Sequence, residues 1–269
     1  TQSMKQKNII FQLLCATLLV GCGGSTAASA PLATGQGDSA PAQQPAALPG
    51  SPTAELSTPT AAPASPLLAY AFPESIDPQG RYLFYLHGKI IEDQGLPAIS
   101  PDYGEYAYTA ILEALEAGGY RVISEQRAAG TESVEYARRV AGQVTLLLTS
   151  GVPPTAIVVV GASQGAWIAI QVSHFLGNSK INYVLLSICS PETVQALIQD
   201  EIHLSGSVLS IYDEGDPLAG SCQALFDYSE DKGTGQVEEL ELHLGRGHGM
   251  LYQPLDEWVA PTLDWGREH

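Results

Sequence analysis

Five residues in the middle of the chain, Gly161-Ala162-Ser163-Gln164-Gly165, have the types and spacing to present a nucleophile. The bare Gly-x-Ser-x-Gly pattern is common enough to be weak evidence by itself. Its context is what gives it weight. An apolar run ending in Val160 precedes it, and an Ala/Ile-rich run containing Trp167 follows, so Ser163 falls between a strand and a helix. A tight strand-to-helix turn forces its central residue into strained backbone angles. It also brings together the residues two before and two after, which Gly161 and Gly165 allow because they carry no side chain. The start of the helix then sets partial positive charge and free N–H groups, that of Gln164 among them, where an oxyanion would form beside Ser163. Two further loops carry candidate partners: Asp213 and Asp216 in "LSIYDEGDPLAG", and His248 in "LHLGRGHGM".

These loops must be positioned by the elements around them. From Leu67 onward short apolar runs alternate with longer amphipathic ones. Strands are predicted at 82–88, 120–127, 156–161, 181–188, 206–212 and 236–244. Helices are predicted at 103–120, 131–150, 164–176, 191–202, 221–229 and 253–266. Gly118-Gly119 stops the first helix, and Thr131 is the expected N-cap of the second, with Glu132 and Glu135 near its positive end. Strands alternating with helices, several of them apolar throughout, imply a parallel sheet covered on both faces. The expected fold class is therefore α/β, a three-layer α/β/α sandwich of six parallel strands, with "LLAYAF" as an additional edge strand.

At this point the chain resembles the α/β-hydrolase fold over residues 68–266, and within it small secreted bacterial serine hydrolases. The resemblance rests on Gly-Ala-Ser-Gln-Gly, on "FYLHGK" ending the first strong strand with His87-Gly88, on the acids after the fifth strand, and on His248 in a Gly-rich loop after the sixth. The order Ser, Asp, His is the one that fold uses. The resemblance implies Ser163 as nucleophile, His248 as general base and Asp216 as the acid orienting it, with Asp213 as the competing acid. It also implies an oxyanion hole formed by the N–H of Gln164 and that of Lys89 or Ile90, just after the His-Gly turn. His87 is read as a turn-stabilising residue, and His174 and His203 as surface. Trp167 is read as core. His243, alternating with Leu242 and Leu244 and sharing a face with Glu239 and Glu241, is read as a sheet histidine. The stretch between Ile188 and Gly206 holds one helix and leaves no room for a lid. The loop 88–104 is expected to wall the acyl pocket, with Glu92 and Asp93 disfavouring anionic substrates.

The front of the chain has a different character. "MKQKNIIFQLLCATLLVGCGGS" has a basic start and a short apolar core, and its Leu-Val-Gly-Cys resembles the bacterial lipoprotein signal. Residues 1–21 are then a signal peptide and Cys22 the lipidated residue, which places the protein outside the cytoplasm, anchored to the outer membrane or cell surface. Residues 22–66 are rich in Pro, Ala, Ser and Thr with no aromatic residue. Such a segment buries too little apolar surface to offset its ordering entropy and reads as a tether before a domain at 67–269. Removing the signal takes away Lys5 and Lys7 and moves the formal charge from -17 to -19. So acidic a chain is a poor partner for nucleic acid or an anionic membrane, leaving the lipid as its membrane contact. With Cys15 and Cys22 spent, Cys189 and Cys222 can pair in one way in an oxidising compartment. Neither forms a metal-like cluster with His, so no metal or other cofactor is expected.

The expected activity is hydrolysis of carboxylic esters with short or medium acyl groups, through an acyl-enzyme and by a monomer. The competing reading is a catalytically silent α/β-hydrolase-fold envelope lipoprotein that binds a small molecule or a partner.

Overall fold

A computed structural model describes residues 69–269; the signal, lipidation and tether expectations lie outside them. The apolar runs form a sheet of six parallel strands: β1 (Tyr82–Leu86), β4 (Arg121–Ile123), β5 (Ile157–Ala162), β6 (Asn182–Leu186), β7 (Gly206–Asp213) and β8 (Thr234–Leu242), in the order β4-β1-β5-β6-β7-β8. Two-residue strands β2 (Ile99–Ser100) and β3 (Gly104–Glu105) form a separate antiparallel pair. The helices are α1 (Lys89–Gln94), α2 (Tyr108–Glu116), α3 (Ser133–Thr149), α4 (Gln164–Leu176), α5 (Pro191–Gln199), α6 (Gln223–Ser229) and α7 (Asp256–Glu268).

Every residue of β1, β5 and β6 is buried, because successive side chains point to opposite covered faces. On one face Tyr82, Phe84, Leu86 and Val159 pack with Tyr136, Val140 and Val144 of α3 and Ile170 of α4. On the other, Leu83, Tyr85, Val158 and Val160 pack with Ile111 and Leu115 of α2 and Trp258 of α7. Each such side chain contributes about 1.5–3 kcal/mol by leaving water, so the central strands are the rigid frame. β8 is one of the two edge strands and carries exposed Glu238 and Glu241, whose charge discourages pairing with another chain.

The chain leaves β1 toward β4 on one side and later returns to β5 on the other. The direction of winding therefore reverses between β1 and β5, at the carboxyl ends where Leu86 lies beside Gly161. In open α/β sheets that switch point opens a crevice for a ligand. His87 follows β1 and Ser163 follows β5, so both loops of interest flank it.

Several expectations are corrected. Residues 69–72 of "LLAYAF" form no strand; the Tyr70 carbonyl accepts the Ser124 N–H at 2.8 Å as β4 ends. β4 stops at Ile123 rather than running to 127, because Ser124 turns to donate to the Tyr85 carbonyl and the chain then folds Arg127 inward. The helix expected over 103–120 starts only at Tyr108: Gly104 has φ 80°, outside any helix, and Tyr106 drops into the core. The N-cap of α3 is Glu132, whose side chain does not cap the helix, and not Thr131, whose hydroxyl donates to the Ala128 carbonyl. The stretch 88–104 contains α1 and the β2–β3 hairpin. His243 lies beyond the end of β8, exposed and bonded to Glu214 at 2.7 Å, so it is no sheet residue; that carboxylate raises its pKa.

Candidate active site

β5 ends at Ala162, and Ser163 takes φ 54°, ψ -118°, a conformation that costs a residue other than Gly about 1–3 kcal/mol. Its surroundings hold it there. Its N–H donates to the Leu186 carbonyl at 2.8 Å, and its carbonyl accepts the N–H groups of Ala166 and Trp167 at 2.8 and 3.2 Å. The two glycines are obligatory for a steric reason. A Cβ on Gly161 would lie 2.3 Å from the Gly165 carbonyl oxygen, and one on Gly165 would lie 1.8 Å from that of Leu86. Gln164 opens α4, where a backbone N–H has no intrahelical acceptor. Its side chain is buried and turned away, donating to the Ser133 hydroxyl at 3.1 Å, so only its backbone faces the site.

β7 and β8 bring in the other two groups. Asp216 sits in the turn after β7, with its N–H on the Asp213 carbonyl at 3.2 Å and its Oδ1 accepting from Leu218 N–H at 2.9 Å. His248 follows β8 in a 3-10 turn (Gly247–Tyr252). Its Nδ1 lies 2.9 Å from Asp216 Oδ2 and its Nε2 lies 3.0 Å from Ser163 Oγ. With the carboxylate ionised, Nδ1 carries the proton and Nε2 is left as acceptor for the serine hydroxyl. Burial alone would raise the Asp216 pKa; the hydrogen bond and charge of His248 and the Leu218 N–H outweigh it and hold it below the usual carboxylate value.

Asp213 is separate from this chain of bonds. It is fully buried, and its carboxylate accepts the N–H groups of Leu244, Arg246 and Gly247 at 2.7, 2.6 and 2.7 Å.

His87 and Gly88 lie on the opposite side of Ser163. A Cβ on Gly88 would be 3.7 Å from both the Ala162 carbonyl oxygen and Ser163 Cβ. Lys89 and Ile90 are the first residues of α1, so their N–H groups also lack intrahelical acceptors. His87 is buried and neutral: burial first, then the Arg127 charge, lower its pKa to about 3. Its Nε2 accepts the Arg127 N–H at 2.8 Å, which puts its proton on Nδ1, facing the Gly88 carbonyl at 2.9 Å. Arg127 donates from Nη2 to the His87 carbonyl at 2.6 Å and from Nε to Glu92 at 3.1 Å. Glu92 is thus inside the protein and not on a substrate path. Lys89 pairs with Glu92 at 3.1 Å and with Asp93, so the expected bias of Glu92 and Asp93 against anions loses its basis.

The remaining sequence candidates lie elsewhere. His174 is in the last turn of α4, ten residues and about 15 Å of helix from Gln164; its ring meets that of His203 edge-on at 4.6 Å. Trp167 packs against the core cluster. Cys189, after β6, and Cys222, before α6, are joined by a disulfide with a Cα separation of 5.0 Å. Among the described residues no group of three or more His, Cys, Asp or Glu is placed to hold a metal.

Three features escaped sequence reasoning: the Asp213 carboxylate on the His loop, the Arg127–Glu92 ion pair, and Tyr103. The Tyr103 ring covers Gly249, where a Cβ would lie 2.7 Å from it, and it also meets Tyr252 at 5.2 Å. Only Asp213 left a signal, as an acid directly following the strand expected at 206–212.

No family model matches the chain, and no curated protein matches it. Among solved structures, SOBER1 of Arabidopsis thaliana is 14% identical and superposes with a TM-score of 0.46 over 70% of this chain and 97% of its own. A phospholipase/carboxylesterase of Dyadobacter fermentans is 14% identical, with a TM-score of 0.45 over 69% and 94%. A YdeN-like hydrolase of Pectobacterium atrosepticum is 15% identical, with a TM-score of 0.43 over 70% and 91%. At such identities the architecture has to be read from the sheet itself: six parallel strands, winding reversed between β1 and β5, and a strained Ser at the β5–α4 turn. The domain has the α/β-hydrolase fold. The connection from β6 to β7, where that fold usually inserts a lid, holds only the nine residues of α5 as regular structure.

Proposed function

We propose that the domain is a serine hydrolase acting on carboxylic esters with short or medium acyl groups. The observation that carries this reading is the hydrogen-bonded series Ser163 Oγ, His248, Asp216, at 3.0 and 2.9 Å, on a turn that strains the serine. In the first step Ser163 Oγ attacks the ester carbonyl while His248 Nε2 takes its proton, and Asp216 stabilises the imidazolium. The carbonyl oxygen becomes an oxyanion, stabilised by the Gln164 N–H and a second N–H from Lys89 or Ile90. Collapse breaks the bond to the alcohol, which leaves with the proton from His248. Water, deprotonated by His248, then attacks the acyl-Ser163 ester, releasing the acid and restoring the hydroxyl. Every step uses groups of this chain and water.

The absence of a lid-length insertion between β6 and β7 favours small or soluble esters over a lipid interface. Residues 1–66 bear on location alone: we propose that Cys22 is lipidated after signal removal and that the segment behind it tethers the domain to the envelope. Partition of the full chain into detergent, lost in Cys22→Ala, tests that separately.

The test of the activity is hydrolysis of p-nitrophenyl acetate, butyrate and octanoate by residues 67–269, alongside Ser163→Ala. Turnover by the wild type that falls at least about 1,000-fold in the variant supports the reading. A folded wild type that cleaves none of them and does not react with a fluorophosphonate overturns it in favour of a silent binding protein.

A further inference from the structure

We propose that Asp213 is a positioning residue for His248, holding the base in register with Asp216 and Ser163. The inference rests on reading those three residues as the catalytic set. Two observations carry it. The buried carboxylate takes its hydrogen bonds from three backbone N–H groups, those of Leu244, Arg246 and Gly247, the last being the immediate neighbour of His248. The backbone carbonyl of the same residue accepts the Asp216 N–H at 3.2 Å. One residue at the end of β7 therefore ties the acid-bearing turn to the base-bearing loop.

The loop has little else to fix it. Gly245 and Gly247 take φ 64° and 52° and Arg246 is exposed, so between half-buried Leu244, which packs on the core, and His248 no side chain anchors the segment. Three donors converging on two oxygens need a carboxylate. An asparagine keeps one acceptor and turns its NH2 toward N–H donors on the other side, leaving them without a partner. A loop released at Arg246 and Gly247 lets the imidazole drift from a geometry in which misplacement by about 1 Å costs on the order of 100-fold in rate.

The test is Asp213→Asn in residues 67–269. Expected are a fold unchanged by circular dichroism, a kcat lowered about 10- to 100-fold, a KM within about twofold, and slower fluorophosphonate labelling of Ser163. The far-downfield proton resonance of His248 Nδ1–H, identified by its loss in His248→Ala, shifts or broadens in the variant. Wild-type kcat together with an unchanged resonance overturns the proposal. If the variant does not fold, amide exchange of the wild type decides. Protected N–H groups at Arg246 and Gly247 support the clamp, and exchange at exposed-loop rates refutes it. A wild type inert to esters overturns the hydrolase reading, while the resonance and the exchange still judge the role of Asp213.

Discussion

Replacing Arg127 by Met tests how the turn beside Ser163 is held. The guanidinium and the Glu92 carboxylate are 0% and 1% exposed as side chains and 3.1 Å apart. Breaking a buried pair by removing one partner typically costs about 3–5 kcal/mol, because the survivor is left as an uncompensated charge. The two halves are not equivalent here. When Arg127 goes, Glu92 keeps Lys89 at 3.1 Å, so Arg127→Met lies near the lower end, about 3 kcal/mol. When Glu92 goes, Arg127 keeps the His87 carbonyl and the face of the Tyr136 ring but no anion, and its Nη1 already lacks a hydrogen-bond partner, so Glu92→Leu lies near about 5 kcal/mol. The double variant contains no stranded charge and costs no more than the worse single. The sum of the singles thus exceeds the double by at least about 3 kcal/mol. Urea unfolding at pH 7, followed by tryptophan fluorescence and far-ultraviolet circular dichroism, measures all three. Costs that add to within about 0.5 kcal/mol would refute the pair as a coupled unit.

Other consequences follow from the same geometry. His87 is neutral when folded, with a pKa lowered to about 3 by burial and Arg127. The unfolded chain therefore takes up that proton first, and stability is lost as pH falls from about 6.5 toward 3, by up to about 1.4 kcal/mol per pH unit. His87→Gln, which can still accept from Arg127 N–H, should lack this component in its pH-dependent unfolding; an unchanged profile argues for a charged His87. Replacing Cys189 and Cys222 by Ser opens a loop of 33 residues, worth about 3–4 kcal/mol of unfolded-chain entropy. Calorimetry should show a Tm lower by about 10 °C, and an equal Tm refutes it. Gly165→Ala forces a Cβ onto the Leu86 backbone and should cost at least about 3 kcal/mol. Gly142→Ala, in α3 with nothing within 4 Å, should instead stabilise by about 0.5–1 kcal/mol. Denaturant midpoints in the same order for both would show the crowding at Gly165 to be unimportant.

What could be read from the sequence follows a physical division. α4 is legible to the residue at both ends, since Ser163 closes a strand and Gly177, at φ 55°, stops the helix. The central strands are legible because burial on both faces leaves unbroken apolar runs. The β2–β3 hairpin is not, because two-residue strands are shorter than any period. Arg127 is not legible either: in the sequence it only ends the strand expected at 120–127, and only the fold shows Glu92 arriving from α1 to meet it. Asp213 and Asp216 look alike in sequence; their difference lies in which loop each faces.

The same division explains how the site stays rigid. A serine at φ 54° persists only if its surroundings over-determine it. Apolar packing does this for β5 and α4, but in the flanking segments 87–92 and 243–248, which are short and Gly-containing, it holds only Ile90, Ile91 and Leu244 and leaves the polar residues between them to other contacts. Those segments are fixed instead by buried charge: Arg127 and Glu92 beneath the His-Gly turn, and Asp213 beneath the His248 loop. In an environment of low dielectric such groups are directional, and a half-satisfied one is costly, so each tolerates a single arrangement of the backbone that it binds. Hydrophobic burial thus places the strand ends, and buried ionic groups set the angles of the loops leaving them. Substitutions at Arg127 or Asp213 are accordingly expected to change Ser163 reactivity more than equally destabilising cavities cut in the core away from those two segments.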